Sequence, residues 1–395
     1  MEKILAVNAG SSSLKFQLLL MPLEKVITEG LIEKIGSEQA IYTIKYEGEK
    51  HKEILPVCDH EKAVSILLED IIKRNIVSSL EEIKGIGHRI VQGGWYFQDS
   101  ALIDEDVLNK IEELSTLAPL HNPAHIVGIK AFQAVLPNTK AVAVFDTSFH
   151  QTMKQDTFMY ATPYEWYTKH KIRKYGAHGT SHKYVSMLCA EVMGKKSEDL
   201  KIITCHLGNG ASIAAVKGGV CIDTSMGLTP LEGIPMGTRS GNIDPAVIEF
   251  ISEKENLGIQ EILSILNHKS GYLGVSGVSN DSREIEDGAL AGNERCNLAL
   301  EIQFKRIADY IGSYYVSMSG LDALVFTAGI GENSSYAREK ICERLSVLGV
   351  ELDEEANKSR GEVKLISKPE SKVKVYIIPT NEELMIARDV IRLTK

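Results

Sequence analysis

Two short turns built from small residues are the first places where this chain could do chemistry. Asn8-Ala9-Gly10-Ser11-Ser12-Ser13 and His206-Leu207-Gly208-Asn209-Gly210 each stand between apolar runs. Backbone N–H groups can surround phosphate oxygens only where side chains leave room, so Gly and Ser suit that task, and Ser hydroxyls add donors. Either turn reads equally as an ordinary tight hairpin. Neither is a Walker A loop, since Gly-x-x-x-x-Gly-Lys-[Ser/Thr] is absent from both. A third run, Gly329-Ile330-Gly331-Glu332-Asn333, could line a purine or ribose at a helix start, or be a plain strand-to-helix turn.

Charged and titratable residues in turns come next. Arg89 lies in Gly87-His88-Arg89-Ile90-Val91-Gln92-Gly93-Gly94 and Arg239 in Gly237-Thr238-Arg239-Ser240-Gly241. A guanidinium fork matches phosphate or carboxylate; the alternative is an exposed Arg on a loop. His178 and His182 have the spacing of a zinc pair, but the acid of a metalloprotease helix is missing between them. His178 reads better as an imidazole aimed at a transferring phosphoryl group. His121, just before Asn122-Pro123, is either a hydrogen-bonded structural residue or a substrate ligand. Asp146 ends the apolar run Ala141–Phe145, where a carboxylate either enters the crevice of an α/β protein or caps a turn. Glu382 opens the last helix; it can hold Mg²⁺ through water or simply stabilise the helix dipole.

These residues need elements to hold them. Ile4–Val7 and Leu14–Leu20 read as strands around the first turn, Lys201–Cys205 and Ala211–Val216 as strands around the second, and Ala323–Phe326 as a strand before the third. Asn122-Pro123 and Asp244-Pro245 each place a capping side chain before a Pro suited to a first helical position. Asn293 to Ser319 is the longest helical stretch, stopped by Gly320; further helices follow Ser334, closing at Gly349, and span Glu382–Leu393. Strands alternating with helices indicate an α/β fold, and the two similar hairpins suggest two halves built alike. The boundary is expected near residue 147, with the C-terminal helix returning to the first domain: 1–147 plus 383–395, and 148–382.

Composition excludes several classes. With 395 residues, 25% charged and 44% hydrophobic, the chain suits roughly two soluble domains. A net charge of -9 opposes close approach to nucleic acid, although a cleft can be locally basic. Six dispersed cysteines contain no Cys-x-x-Cys pair and read as reduced thiols. Only four apolar residues, Ile4 to Val7, follow Met1-Glu2-Lys3, and no run approaches a membrane span. The expectation is a soluble, cytoplasmic protein that binds neither membrane nor nucleic acid.

Taken in order, the motifs resemble the acetate kinase family over essentially the whole chain. The resemblance rests on Asn8–Lys15, His88-Arg89, Ala118–Asn122, Phe145–Thr147, Tyr175-Gly176 with His178–His182, and His206–Ser212. It continues through Asp223–Gly233, Gly237–Gly241, Phe326–Asn333 and Thr380–Asp389. It implies two duplicated actin-like (ribonuclease H-like) α/β domains with a nucleotide cleft between them, and a homodimer. It also implies roles. Asn8, Ser11, Ser13 and Lys15 match one phosphate region, and His206, Leu207, Gly208, Asn209 and Gly210 the other. Asp281-Ser282-Arg283 and Gly329–Asn333 fall where the family holds adenosine. Arg89, Arg239, His178, His121 and Asp146 match catalytic positions. Asn8 and Glu382 fall at the metal, Mg²⁺ or Mn²⁺. Val91, Leu120, Ala177 and Pro230, with Arg89, match the pocket for the acetate methyl. The chain departs from the family pattern at Gln92, Trp95, Ala177 and Asn242, where His, Glu, Phe and Asp are usual. Of these Ala177 bears most on specificity, because it removes a ring beside His178.

The implied reaction is ATP plus acetate giving ADP plus acetyl phosphate, with propionate or butyrate as the alternative acid. A carboxylic acid with pKa near 4 is ionised at pH 7 and needs no general base, so Asp146 is expected to orient groups rather than take a proton. A sugar kinase would instead need Asp146 as a base, and a non-catalytic ATP-dependent binding module would transfer nothing.

Overall fold

The computed structural model describes residues 1–119 and 121–395, so the pocket position Leu120 lies outside the described residues. The chain forms two compact units, Met1–Phe149 with Asn381–Lys395, and His150–Thr380.

In the first unit β1 (Glu2–Gly10), β2 (Ser13–Met21), β3 (Lys25–Glu33), β4 (Ser37–Tyr46) and β5 (Glu49–Val57) form an antiparallel meander. On its other side β1 runs parallel to β6 (Ile83–Ile90). The short edge strand β7 (Ala101–Leu102) is antiparallel to β8 (Lys140–Phe145), which is itself parallel to β6. Leu5, Val7 and Ala9 join one apolar core with Val64, Leu67, Leu68 and Phe132 from the helices His60–Lys73 and Asn122–Val135. The C-terminal helix Glu382–Thr394 covers the opposite face. Covering both faces is why Ile4–Val7 is a continuous apolar run rather than an alternating one.

Two glycines set how close that last helix comes. A Cβ on Gly85 would lie 2.4 Å from Val390 Cγ1, and one on Gly87 2.2 Å from Ile386 Cγ2. Along β6 every second residue faces the helix, and along the helix every fourth residue faces back. Two strand residues rise about 6.6 Å and four helix residues about 6 Å, so the two rows stay in step. Gly85 meets Val390, Gly87 meets Ile386, and the next pair in the series is Arg89 with Glu382.

In the second unit β9 (Lys201–Leu207), β10 (Ala211–Lys217) and β11 (Val220–Thr224) are antiparallel. β12 (Ala323–Thr327) is parallel to β9, and the edge strand β13 (Lys364–Leu365) is antiparallel to β14 (Lys374–Ile377), which is parallel to β12. The 25-residue helix Glu294–Met318 packs Leu300, Phe304, Ile307 and Ile311 into this core, with Asn293 capping its start and Ser319 (φ 59°) ending it. The sheet orders β3-β2-β1-β6-β8 and β11-β10-β9-β12-β14 are the same plan used twice. The fold is two-domain, mixed α/β and actin-like.

Three local readings change. Asn8, Ala9 and Gly10 belong to the β1–β2 ladder opposite Lys15, Leu14 and Ser13, so only Ser11 and Ser12 form the first turn. His206 and Leu207 likewise lie in β9, opposite Ser212 and Ala211, leaving Gly208–Gly210 as the second turn. Ladder bonds occupy backbone groups that the sequence left available for phosphate. Asn122 does not cap its helix; His121 occupies the cap position, and its side chain makes no capping bond to the helix start.

Candidate functional site

The first unit gathers its charged groups at the C-terminal ends of β1, β6 and β8. These strands are parallel, so their ends share one edge of the sheet. Arg89 Nη2 donates to Asp146 Oδ2 at 2.6 Å and Nε reaches Oδ1 at 3.1 Å, a two-toothed grip on a carboxylate that is itself fully buried. Arg89 Nε also lies 3.6 Å from Glu382 Oε2. Burial opposes charge on Arg89, but Asp146 and Glu382 outweigh it and hold its pKa above the usual value. Burial is the main force pushing the Glu382 carboxyl above its ordinary range; Arg89 opposes this and Asp146 adds to it. Alternation along β1 puts Asn8 on the face of Ala6, which stands beside Gly87, so Asn8 joins Arg89 on the helix-covered face. Lys15 Nζ pairs with Glu383 Oε1 at 2.5 Å beside this group.

The loop after Arg89 is held by residues whose part the sequence did not reveal. Asn122 Oδ1 accepts the Gln92 N–H at 3.2 Å, and its amide donates to the Gln92 and Ile111 carbonyls at 3.0 and 3.3 Å. Gln92 Oε1 accepts the Gly94 N–H at 2.9 Å, and Thr147 Oγ1 accepts the Gly93 N–H at 3.0 Å. Gln92 is therefore a structural strut of its own turn. Trp95 packs on the cluster of Ile90, Phe97, Ile111 and Phe145, and Val91 is buried. His121 is half-buried at the start of the helix Asn122–Val135.

In the second unit the turn Gly208–Gly210 brings His178 and Arg239 together. A Cβ placed on Gly210 would lie 3.5 Å from Arg239 Nη1 and 3.6 Å from His178 Nε2, so the two side chains flank one small space above that glycine. His178 opens the helix Gly179–Val192 with a left-handed backbone (φ 56°), a conformation that costs a non-glycine residue about 1 kcal/mol or more. Its ring stacks on His206, centroids 4.2 Å apart. Arg239 Nη1 donates to the Pro230 carbonyl at 3.3 Å, and no carboxylate pairs with this guanidinium among the described residues. Burial alone lowers its pKa. Its loop hangs on the turn through Gly237 N–H to the Asn209 carbonyl, 3.1 Å. Asn242 closes the same loop by accepting from Gly233 N–H at 2.7 Å and donating to Tyr310 Oη at 2.9 Å. Ala177 is 2% exposed within the core of this unit, and its carbonyl contacts His150 Nε2 at 2.9 Å.

Beside the turn a cavity of about 750 Å³ is lined by Gly208, Asn209, Asp281, Ser282, Arg283, Gly329, Ile330 and Asn333, all expected from the sequence. Tyr272, Asn280, Glu286, Asp287, Ser334, Arg360 and Gly237 line it as well and were not anticipated; Asn280 and Ser334 sit one residue from expected positions. Gly331 and Glu332 do not line it. Glu332 Oε1 folds back to accept the Ala328 N–H at the start of its own helix, 2.7 Å, and the Thr380 N–H, 3.2 Å. The Gly331 carbonyl accepts from Nη1 of the buried Arg338 at 2.8 Å. Leu207 is buried in the core. Among the described residues no group of three or more His, Cys, Asp or Glu is arranged to hold a metal, and no helix is long and apolar enough to cross a membrane.

A family model described as the acetokinase family matches residues 3–388. An acetate kinase of Geobacillus kaustophilus is 60% identical over 393 residues, covering 100% of this chain and 99% of that one. The crystal structure of Porphyromonas gingivalis acetate kinase superposes with a TM-score of 0.95 at 46% identity, covering 100% of both chains. That of a propionate kinase from Francisella tularensis gives 0.94 at 44%, again over 100% of both.

Proposed function

The chain belongs to the acetokinase family and is a phosphotransferase, and from that premise we propose that it moves the γ-phosphoryl group of ATP directly and reversibly to acetate, forming acetyl phosphate and ADP. The observation that carries this reading is the pair formed by Arg239 and His178 across Gly210, at the turn that also borders the large cavity. A guanidinium without a carboxylate partner among the described residues, beside an imidazole, suits an anion.

Acetate arrives ionised, so the obstacle is charge rather than proton removal. At about 4 Å and an effective dielectric of about 20, each like-charge contact costs about 4 kcal/mol. Arg239 and His178 supply positive or donating groups to the phosphoryl oxygens, and the backbone of Gly208–Gly210 lines the approach of the phosphate chain. Asp146 is committed to Arg89 through a two-toothed grip and has no proton to take. It holds the fork that faces the carboxylate substrate.

Arg89 carries one positive charge against the two carboxylates of Asp146 and Glu382, and burial first, with Asp146 adding, raises the Glu382 pKa. Two carboxylate oxygens on one guanidinium, with Asn8 alongside, fit a hard cation that takes its remaining ligands from water and phosphate. Asp146, Glu382 and Asn8 would hold Mg²⁺ (or Mn²⁺), which when bound neutralises phosphate oxygens. A cytoplasmic homodimer is part of the same reading, supported by the family resemblance.

Propionate is the second reading. Ala177 in place of the usual ring, and the 44% identical propionate kinase, favour it. The deciding assay measures ADP release with acetate, propionate and butyrate, hydroxylamine trapping the acyl phosphate. Hydroxamate from acetate is the expected result; ADP release without hydroxamate would point to another acceptor, and no release with ATP bound to a binding module.

A further inference from the structure

Behind His178 runs a chain of buried hydrogen bonds that the proposed reaction does not use. His178 Nδ1 lies 2.8 Å from Ser212 Oγ. The same Ser212 Oγ lies 2.8 Å from His182 Nε2, and His182 Nδ1 lies 2.7 Å from Thr204 Oγ1. Thr204 Oγ1 reaches the Ala214 carbonyl at 3.5 Å. Ser212, His182 and Thr204 are all fully buried, so each of their polar hydrogens must find an acceptor inside the protein.

Only one direction of proton donation uses all four contacts. The Ala214 carbonyl can only accept, so the Thr204 hydroxyl donates to it. His182 Nδ1–H then donates to Thr204, leaving the Nε2 lone pair to accept the Ser212 hydroxyl. Ser212 oxygen accepts from His178 Nδ1–H. The reverse direction leaves the carbonyl contact unused. A neutral imidazole has one donor and one acceptor nitrogen, which is what this order demands of His182. Burial, with His150 and His206 nearby, keeps His182 uncharged.

We propose that His182 is a positioning residue: through Ser212 it locks the proton on His178 Nδ1, so that Nε2 is the nitrogen that titrates and faces the small space shared with Arg239. His178 then donates from Nε2 only as the imidazolium, and Ser212 accepts from Nδ1–H in both charge states. The groups around the ring are His206 from β9, Ser212 from β10, His182 one turn along its own helix, and Arg239 across Gly210. The inference rests on the reading that His178 serves the phosphoryl group.

Histidine-selective ¹⁵N labelling of the full chain, with His178→Gln for assignment, reads the tautomer directly. Above pH 8 the expected spectrum shows a protonated, pyrrole-type Nδ1 and a pyridine-type Nε2 on His178; the opposite pattern overturns the proposal. In kinetics, His182→Phe and Ser212→Ala should move the alkaline limb of kcat/KM to lower pH and cut kcat/KM roughly 10–100-fold. His182→Gln, whose amide can accept from Ser212 and donate to Thr204, should keep the limb in place. An unmoved limb in both disabling variants counts against the lock, and if His182→Phe does not fold the wild-type spectrum decides. Undiminished turnover in His178→Gln would defeat the phosphoryl reading while leaving the spectrum to judge the tautomer.

Discussion

The two essential-looking arginines are chemically unlike. Among the described residues Arg239 has no carboxylate partner, whereas Arg89 is tied to Asp146 and Glu382. Arg239→Ala should therefore cut turnover by roughly 10³-fold or more with little change in Tm, because only a clamp on phosphate is lost. Arg89→Ala should lose turnover and also stability, since two buried carboxylates are left uncompensated; about 3 kcal/mol, or roughly ten degrees in Tm, is the expected scale. Adding Asp146→Asn to Arg89→Ala should recover part of the Tm but none of the activity. A double variant no more stable than Arg89→Ala alone would show that the pair does not hold the strand ends. Asp146→Asn by itself should keep the acidic limb of the pH profile, because acetate needs no base; a shifted limb would assign Asp146 the proton after all.

The C-terminal helix and β6 form a unit whose spacing is set by what is missing from the strand. Gly85 and Gly87 let Val390 and Ile386 approach, and the same four-residue step delivers Glu382 to Arg89. Gly87→Ala places a methyl 2.2 Å from Ile386 Cγ2 and must push the helix outward. Overpacking of this kind costs about 1–3 kcal/mol. We expect a lower Tm and a higher Mg²⁺ concentration for half-maximal rate, with Ile386→Ala restoring the Mg²⁺ dependence in the double variant. If Gly87→Ala leaves the Mg²⁺ titration unmoved, Glu382 is not placed by this contact. The alternation Gly85-Ile86-Gly87 was legible in the chain, but nothing in the string says which helix will lie upon it.

At the scale of the whole molecule, acid sensitivity is built into its interior. His88 and His125 are buried, each with an Nε2 that has no hydrogen-bond partner, and His182 is buried in the other unit. Burial lowers His88 to about 3, with His125 adding, and His125 to about 4, with the Arg89 guanidinium adding, and holds His182 well below its ordinary value. The unfolded chain takes up these protons near pH 6.5 and the folded one does not. Their contribution to stability is thus complete above pH 6.5, falls away as pH drops below that, and is lost once pH passes the folded values of about 4 and 3. Each unit of difference is worth about 1.4 kcal/mol. Tm should therefore fall more steeply between pH 6.5 and 4 in wild type than in His88→Phe, a comparison that cancels the carboxylates common to both. Parallel Tm–pH curves would mean that His88 is already open to protons when folded.

Residue types and short spacings were enough to raise the candidates: small turns for phosphate, forks among glycines, an acid at a strand end, and an α/β repeat. These are local properties, because backbone freedom at Gly and the reach of a guanidinium travel with the residue. The tertiary structure alone decided which partners each of them meets. Whether Asn122 caps a helix or clamps Gln92, whether Glu332 faces a nucleotide or its own helix start, and which hydroxyls orient His178 all depend on partners dozens of residues away. Hydrogen bonds of 3 Å between such groups exist only once the sheets have closed around them.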